Sequence, residues 1–81
     1  MYYDIVFMVI YMKKNYTQIL KDLREDSDYT QAQVAKKLGT SQTMYARYER
    51  GANELPIRHL ISLCNLYKVS ADFILGLTTH K

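Results

Sequence analysis

The strongest constraint in this chain is a helix stop pressed directly against a helix start. Thr30 is followed three residues later by Gln33, a pattern in which each side chain caps the other's backbone N–H at the head of a helix. Apolar or small residues follow at Val34, Ala35 and Leu38, and Gly39 stands where a helix end calls for a left-handed residue. Ser41 then offers a hydroxyl to cap a second helix, which Gly51 ends in the same way. A helix over residues 31–38 and another beginning at Ser41 are therefore joined by a turn of three residues, and they must meet at a sharp angle.

Helical spacing continues on both sides of this pair. Tyr16, Leu20 and Leu23 fall at i, i+4 and i+7 with Ile19 widening the stripe, which predicts a first helix over residues 16–26 closed by the polar run EDSD. After Gly51 the segment ANEL reads as a loop. Pro56 is expected to open a fourth helix at its first-turn position, where a missing N–H does no harm. Its predicted core face is Ile57, Leu60, Ile61 and Cys64, flanked by Leu63 and Tyr67. Ser70 caps a last short helix through Asp72, Phe73, Ile74 and Leu75, ended by Gly76. With three glycines and one proline, all assigned to helix ends, and 48% hydrophobic residues, the chain is a folded helical one. The expected fold is all-α: five helices in one domain over residues 13–81.

Residues 1–12, MYYDIVFMVIYM, follow a different pattern. Rich in Tyr, Val, Ile and Phe and free of breakers, they prefer the strand. Their apolar run of eight residues is far short of the roughly 20 that span a bilayer, and its positive charges follow it rather than precede it as in a secretory signal. The expectation is an apolar extension that pairs as a β-strand with the same strand of a second subunit. Two alternatives stand beside it: packing back onto the chain's own helices, or an over-called start ahead of Met12.

Candidates for chemistry are few. Cys64 is the only cysteine, so an intramolecular disulfide and a cysteine metal cage are excluded, which fits a reducing cytoplasm. His59 and His80 have no ligand-spaced neighbours. No phosphate loop, dinucleotide glycine run, zinc-helix motif or nucleophile with a base is present, so the chain reads as a non-enzyme without metal, cofactor or catalytic residue. Net charge is only +3, but it is segregated. Residues 30–51 carry Lys36, Lys37, Arg47 and Arg50 against Glu49 alone, while Asp22, Glu25, Asp26 and Asp28 crowd the stretch before them. One positive face suits a polyanionic partner.

Residues 31–51 also meet the steric demands of a helix-turn-helix. Ala35 is small where the helices cross, Gly39 serves the turn, and Val34, Leu38, Tyr45 and Tyr48 supply a shared core. The stretch TQAQVAKKLGTSQTMYARYERG resembles the helix-turn-helix of Cro and phage repressors. LKDLRED before it resembles that family's first helix, and LPIRHLISLCNLYKVSADFILGLT after it the fourth and fifth, so the likeness runs over residues 16–78.

The resemblance implies a repressor-like bundle and a transcriptional regulator binding double-stranded operator DNA. Residues 41–50 would form the recognition helix in the major groove, with Gln42, Thr43 and Arg47 at the base-contacting positions. Their chemistry suits base reading, since glutamine pairs with adenine, arginine with guanine, and a threonine methyl meets the thymine methyl. Thr30, Gln31, Ser41, Arg50 and Asn53 are the implied phosphate contacts, together with the Tyr45 hydroxyl; Tyr45 and Tyr48 otherwise belong to the core. Arg24 and Glu49 match a family ion pair between the first helix and the end of the recognition helix. A homodimer is implied, with Phe73, Ile74 and Leu77 as an alternative contact to the leader strand. A second reading is an antitoxin that grips a toxin protein while repressing its own promoter; a co-regulator is another protein partner, and a membrane is not.

Overall fold

The computed structural model describes residues 15–81, and the expectations for residues 1–12 lie outside the described residues. Five helices follow in order: α1 (Tyr16–Asp26), α2 (Gln31–Leu38), α3 (Gln42–Arg50), α4 (Ile57–Tyr67) and α5 (Ala71–Ile74). The described part is all-helical, with no strand among its residues.

Local capping sets most of these boundaries. Asn15 caps α1 by accepting the Gln18 N–H at 3.2 Å. At α2 the reciprocal box closes in both directions: Thr30 Oγ1 accepts from the Gln33 N–H at 3.1 Å, and Gln33 Oε1 accepts from the Thr30 N–H at 2.8 Å. Gly39 takes φ +74°; its N–H donates to the Lys36 carbonyl, and the Thr40 N–H donates to that of Ala35. This paired closure ends α2 and turns the chain at once into Ser41, whose Oγ accepts the Met44 N–H at 3.1 Å.

Pro56 sits one residue earlier than the sequence suggested. It is the residue preceding the helix, with extended ψ of 148°, and its carbonyl accepts the N–H groups of His59 and Leu60. α5 begins at Ala71, capped by Ser70, and Gly76 takes φ +77° just beyond its end.

α3 packs on α1 and α2, α4 on α2 and α5, and α1 on α5. The buried core draws on every helix: Ile19, Leu20 and Leu23; Val34 and Ala35; Tyr45 and Tyr48; Leu63; and Ile74, with Val69 from the turn before α5. The expected core face of α4 needs correcting. Ile57 is 75% and Ile61 57% exposed, Leu60 and Cys64 are half-buried, and the buried residues are His59 and Leu63. Arg58, Ser62 and Asn65 form a polar stripe on α4, but the apolar arc left over is wider than the face that packs, so periodicity alone did not say that Ile57 and Ile61 fall outside it. The imidazole of His59 takes the inner place, its ring centroid 5.7 Å from that of Tyr48. Ile74 is fully buried, which removes it from the alternative dimer contact.

Candidate nucleic-acid interface

The site is organised from beneath by one carboxylate. The Glu49 side chain, only 4% accessible, accepts from Arg24 Nε at 2.7 Å and Arg24 Nη2 at 3.2 Å, a two-point pairing across α1 and α3. It also accepts from Gln31 Nε2 at 3.1 Å and from the Tyr45 hydroxyl at 2.6 Å. Arg24 donates its remaining Nη1 to the Tyr29 carbonyl at 3.1 Å. Three helices and the α1–α2 turn are thus tied to one another through Glu49.

The electrostatics follow from this wiring. Burial alone would raise the Glu49 pKa, but the hydrogen bonds from Arg24, Tyr45 and Gln31 outweigh it and hold the carboxyl below its ordinary value. Arg24 is raised in turn, chiefly by its bond to Glu49. Burial first, and then the bond to Glu49, lifts the Tyr45 phenol far from ionisation.

The Tyr45 hydroxyl, implied above as a phosphate contact, lies inside the fold. Tyr45 is 0% exposed and spends its hydroxyl on Glu49, one helical turn along the same face. The i, i+4 spacing of the two residues is plain in the sequence, but the bond between them forms only because both are buried beside Arg24.

With Tyr45 and Tyr48 inward, α3 leaves Gln42, Thr43, Arg47 and Arg50 exposed. Thr43 and Arg47 are four residues apart and share the outward face. Gln31, at the head of α2, is joined to α3 through Glu49, and because an amide nitrogen has two N–H groups it can hold the carboxylate and still donate elsewhere.

The helix ends are equally suggestive. Neither α2 nor α3 has an acidic residue in its first turn, so the positive end of each backbone dipole is not neutralised there. The caps consume the N–H groups of Thr30, Gln33 and Met44, while the Thr30 and Ser41 hydroxyls keep a proton to donate. Arg47 and Arg50 lie in the last turn of α3, and the Asn53 N–H donates back to the Arg47 carbonyl at 3.4 Å. This surface offers donors and positive charge, with Glu49 withdrawn beneath it.

Two residues carry roles that the sequence did not signal. His59 buttresses Tyr48 from α4, and burial followed by the neighbouring Arg58 charge lowers its pKa; nothing in its local pattern marks it as a core residue. Met44, 37% exposed, stands beside Thr43 on the first turn of α3. Burial raises the Cys64 thiol, which favours its unreactive protonated form. Among the described residues no group of three His, Cys, Asp or Glu side chains could hold a metal ion, and no helix is long and apolar enough to cross a membrane.

A family model described as helix-turn-helix matches residues 20–74. The chain is similar to several proteins of Bacillus subtilis (strain 168). It is 41% identical to the uncharacterized HTH-type transcriptional regulator YobD over 63 residues, covering 78% of this chain and 56% of that protein. It is 39% identical to the HTH-type transcriptional regulator ImmR over 57 residues, 70% of this chain and 45% of that one. To the SPbeta prophage-derived uncharacterized HTH-type transcriptional regulator YonR it is 38% identical over 56 residues, 69% and 52% of the two chains. The chain spans about half the length of these relatives. No solved structure matches it.

Proposed function

The chain belongs to the helix-turn-helix family, and from that premise we propose that it is a sequence-specific, double-stranded-DNA-binding transcriptional regulator of the repressor-like kind. The observation that carries this reading is the division of α3 into two faces. Tyr45, Tyr48 and Glu49 fasten the helix to α1, α2 and α4, and the opposite side holds Gln42, Thr43 and Arg47 out. In this reading those three side chains meet base edges in the major groove, while Thr30, Gln31, Ser41, Arg50 and Asn53 fix the register on phosphates. The protein works in the cytoplasm by occupying its operator, and it performs no chemistry.

A salt series on duplex DNA tests the class. Binding is expected to weaken linearly in log Kd against log salt as phosphate contacts release counterions. Absence of binding at low salt would overturn the proposal. Selecting bound sites from a random pool then yields the operator.

The regulator acts as a homodimer, in which two recognition helices address half-sites roughly 34 Å apart. Exposed Ile57 and Ile61, one turn apart on α4, offer a contact face beside the leader at residues 1–12 and the exposed Leu77. Selected sites with two-fold symmetry are expected; sites without symmetry would count against the dimer.

A further inference from the structure

The first turn of α3 carries a side chain that the base-reading scheme above does not use. Met44 is the one large apolar residue of that helix left open, at 37% exposure, while Tyr45 and Tyr48 beside it are closed into the core. Its backbone N–H is held by the Ser41 cap, so the residue is fixed in place on a rigid turn. At about 100° per residue, Gln42 and Met44 lie on opposite flanks of the outward line through Thr43 and Arg47. The Gln42 flank adjoins Glu49, where α1 and α2 meet α3, and the Met44 flank adjoins Tyr48 and α4.

Two physical facts give this placement a meaning. Helical side chains lean toward the N-terminus of their helix, so the Met44 thioether covers the surface over the Ser41 end. That is the end which addresses base edges in the proposed complex. The major groove offers one apolar group to meet it, the 5-methyl of thymine, among hydrogen-bonding atoms that a thioether serves poorly. An unbranched, polarisable side chain can adapt to a methyl without requiring a fixed angle.

We infer that Met44 is a specificity-determining residue that reads a thymine methyl, on the flank of the recognition helix opposite Gln42. The inference rests on the DNA-binding reading and adds a fourth base contact to it, distinct from Thr43 at the centre of the outward face. It also predicts that 5-methylcytosine is preferred over cytosine there, since it presents the same methyl at the same place in the groove.

The test starts from an operator selected with the full chain. Each thymine is replaced in turn by deoxyuridine, which deletes the methyl and keeps the pairing. Binding of the unmodified protein, Met44→Ala and Thr43→Ala is then compared by fluorescence anisotropy. One thymine per half-site is expected at which the missing methyl weakens the unmodified protein roughly fourfold, the factor that corresponds to about 0.8 kcal/mol for one buried methyl group. That sensitivity should vanish in Met44→Ala and persist in Thr43→Ala. At the same position, 5-methylcytosine should bind better than cytosine only when Met44 is present. Alanine favours the helix and Met44 is open to solvent, so an unaltered thermal melt is the expected control. An operator that is bound but shows no thymine coupled to Met44 overturns this inference and leaves the DNA-binding reading standing. A protein that binds no duplex at all overturns both.

Discussion

Glu49 is a carboxylate with four hydrogen bonds and almost no solvent, so its neighbours cannot be removed one at a time without consequence. Arg24→Ala strands it and is expected to lower unfolding free energy by about 3 kcal/mol in urea titration. The pair also sets an acid limit. Because the folded carboxyl lies below its ordinary value of 4.5, its stabilisation is complete above that pH and is lost as pH falls through the folded value. Glu49→Gln should flatten the stability profile in that window. Tyr67 gives the opposite case: its hydroxyl is buried with no hydrogen-bond partner among the described residues, and burial pushes its pKa up to about 12. Tyr67→Phe is therefore expected to leave the fold intact and raise stability by about 1 kcal/mol, read from the same titration. On the outer face the two arginines should separate by role. Arg47→Ala is expected to relax base preference at one operator position, and Arg50→Ala to weaken all sequences alike and reduce the salt slope by about one.

At the scale of helices, the turn at Gly39 and the face of α4 are governed by different physics. Gly39 holds φ +74° with nothing within 4 Å of an added Cβ, so the penalty for Gly39→Ala is purely one of backbone conformation. It should destabilise by about 1–2 kcal/mol in chemical denaturation while the crossing of α2 and α3 is kept. For α4 the decisive residue is His59, buried against Tyr48 with a depressed pKa. A histidine held neutral in the fold stabilises fully above its unfolded value of 6.5, and that contribution is lost as pH falls through the lower folded value. Stability should thus begin to drop as pH falls below 6.5, ahead of the more acidic window set by Glu49. His59→Leu should abolish this drop. The difference in legibility is physical. Caps and left-handed glycines are settled by atoms within five residues, so Thr30, Gly39, Ser41 and Gly51 could be read directly. The inward face of a helix whose apolar arc is wider than its contact is settled by what it packs on, and Ile57 and Ile61 lie on the part of that arc left outside.

At the scale of the whole molecule, the proposed homodimer is testable at its contact face. Ile57→Lys with Ile61→Lys is expected to shift the sedimentation mass toward the monomer while the protomer stays folded, since neither side chain packs in the protomer's own core. If truncation of residues 1–11 produces the monomer and the lysine pair does not, the leader is the contact instead. The helices over residues 16–26, 31–38 and 41–50, the turn between the last two and the family likeness were all written in the amino-acid order, because short-range capping and apolar spacing suffice for these. It took the packed fold to establish that the inward Tyr45 gives its hydroxyl to Glu49, that His59 rather than Ile57 faces the core, and that Met44 stays open beside Thr43. Those outcomes depend on partners brought together from distant parts of the chain, and helical periodicity carries no record of which face a neighbour will cover.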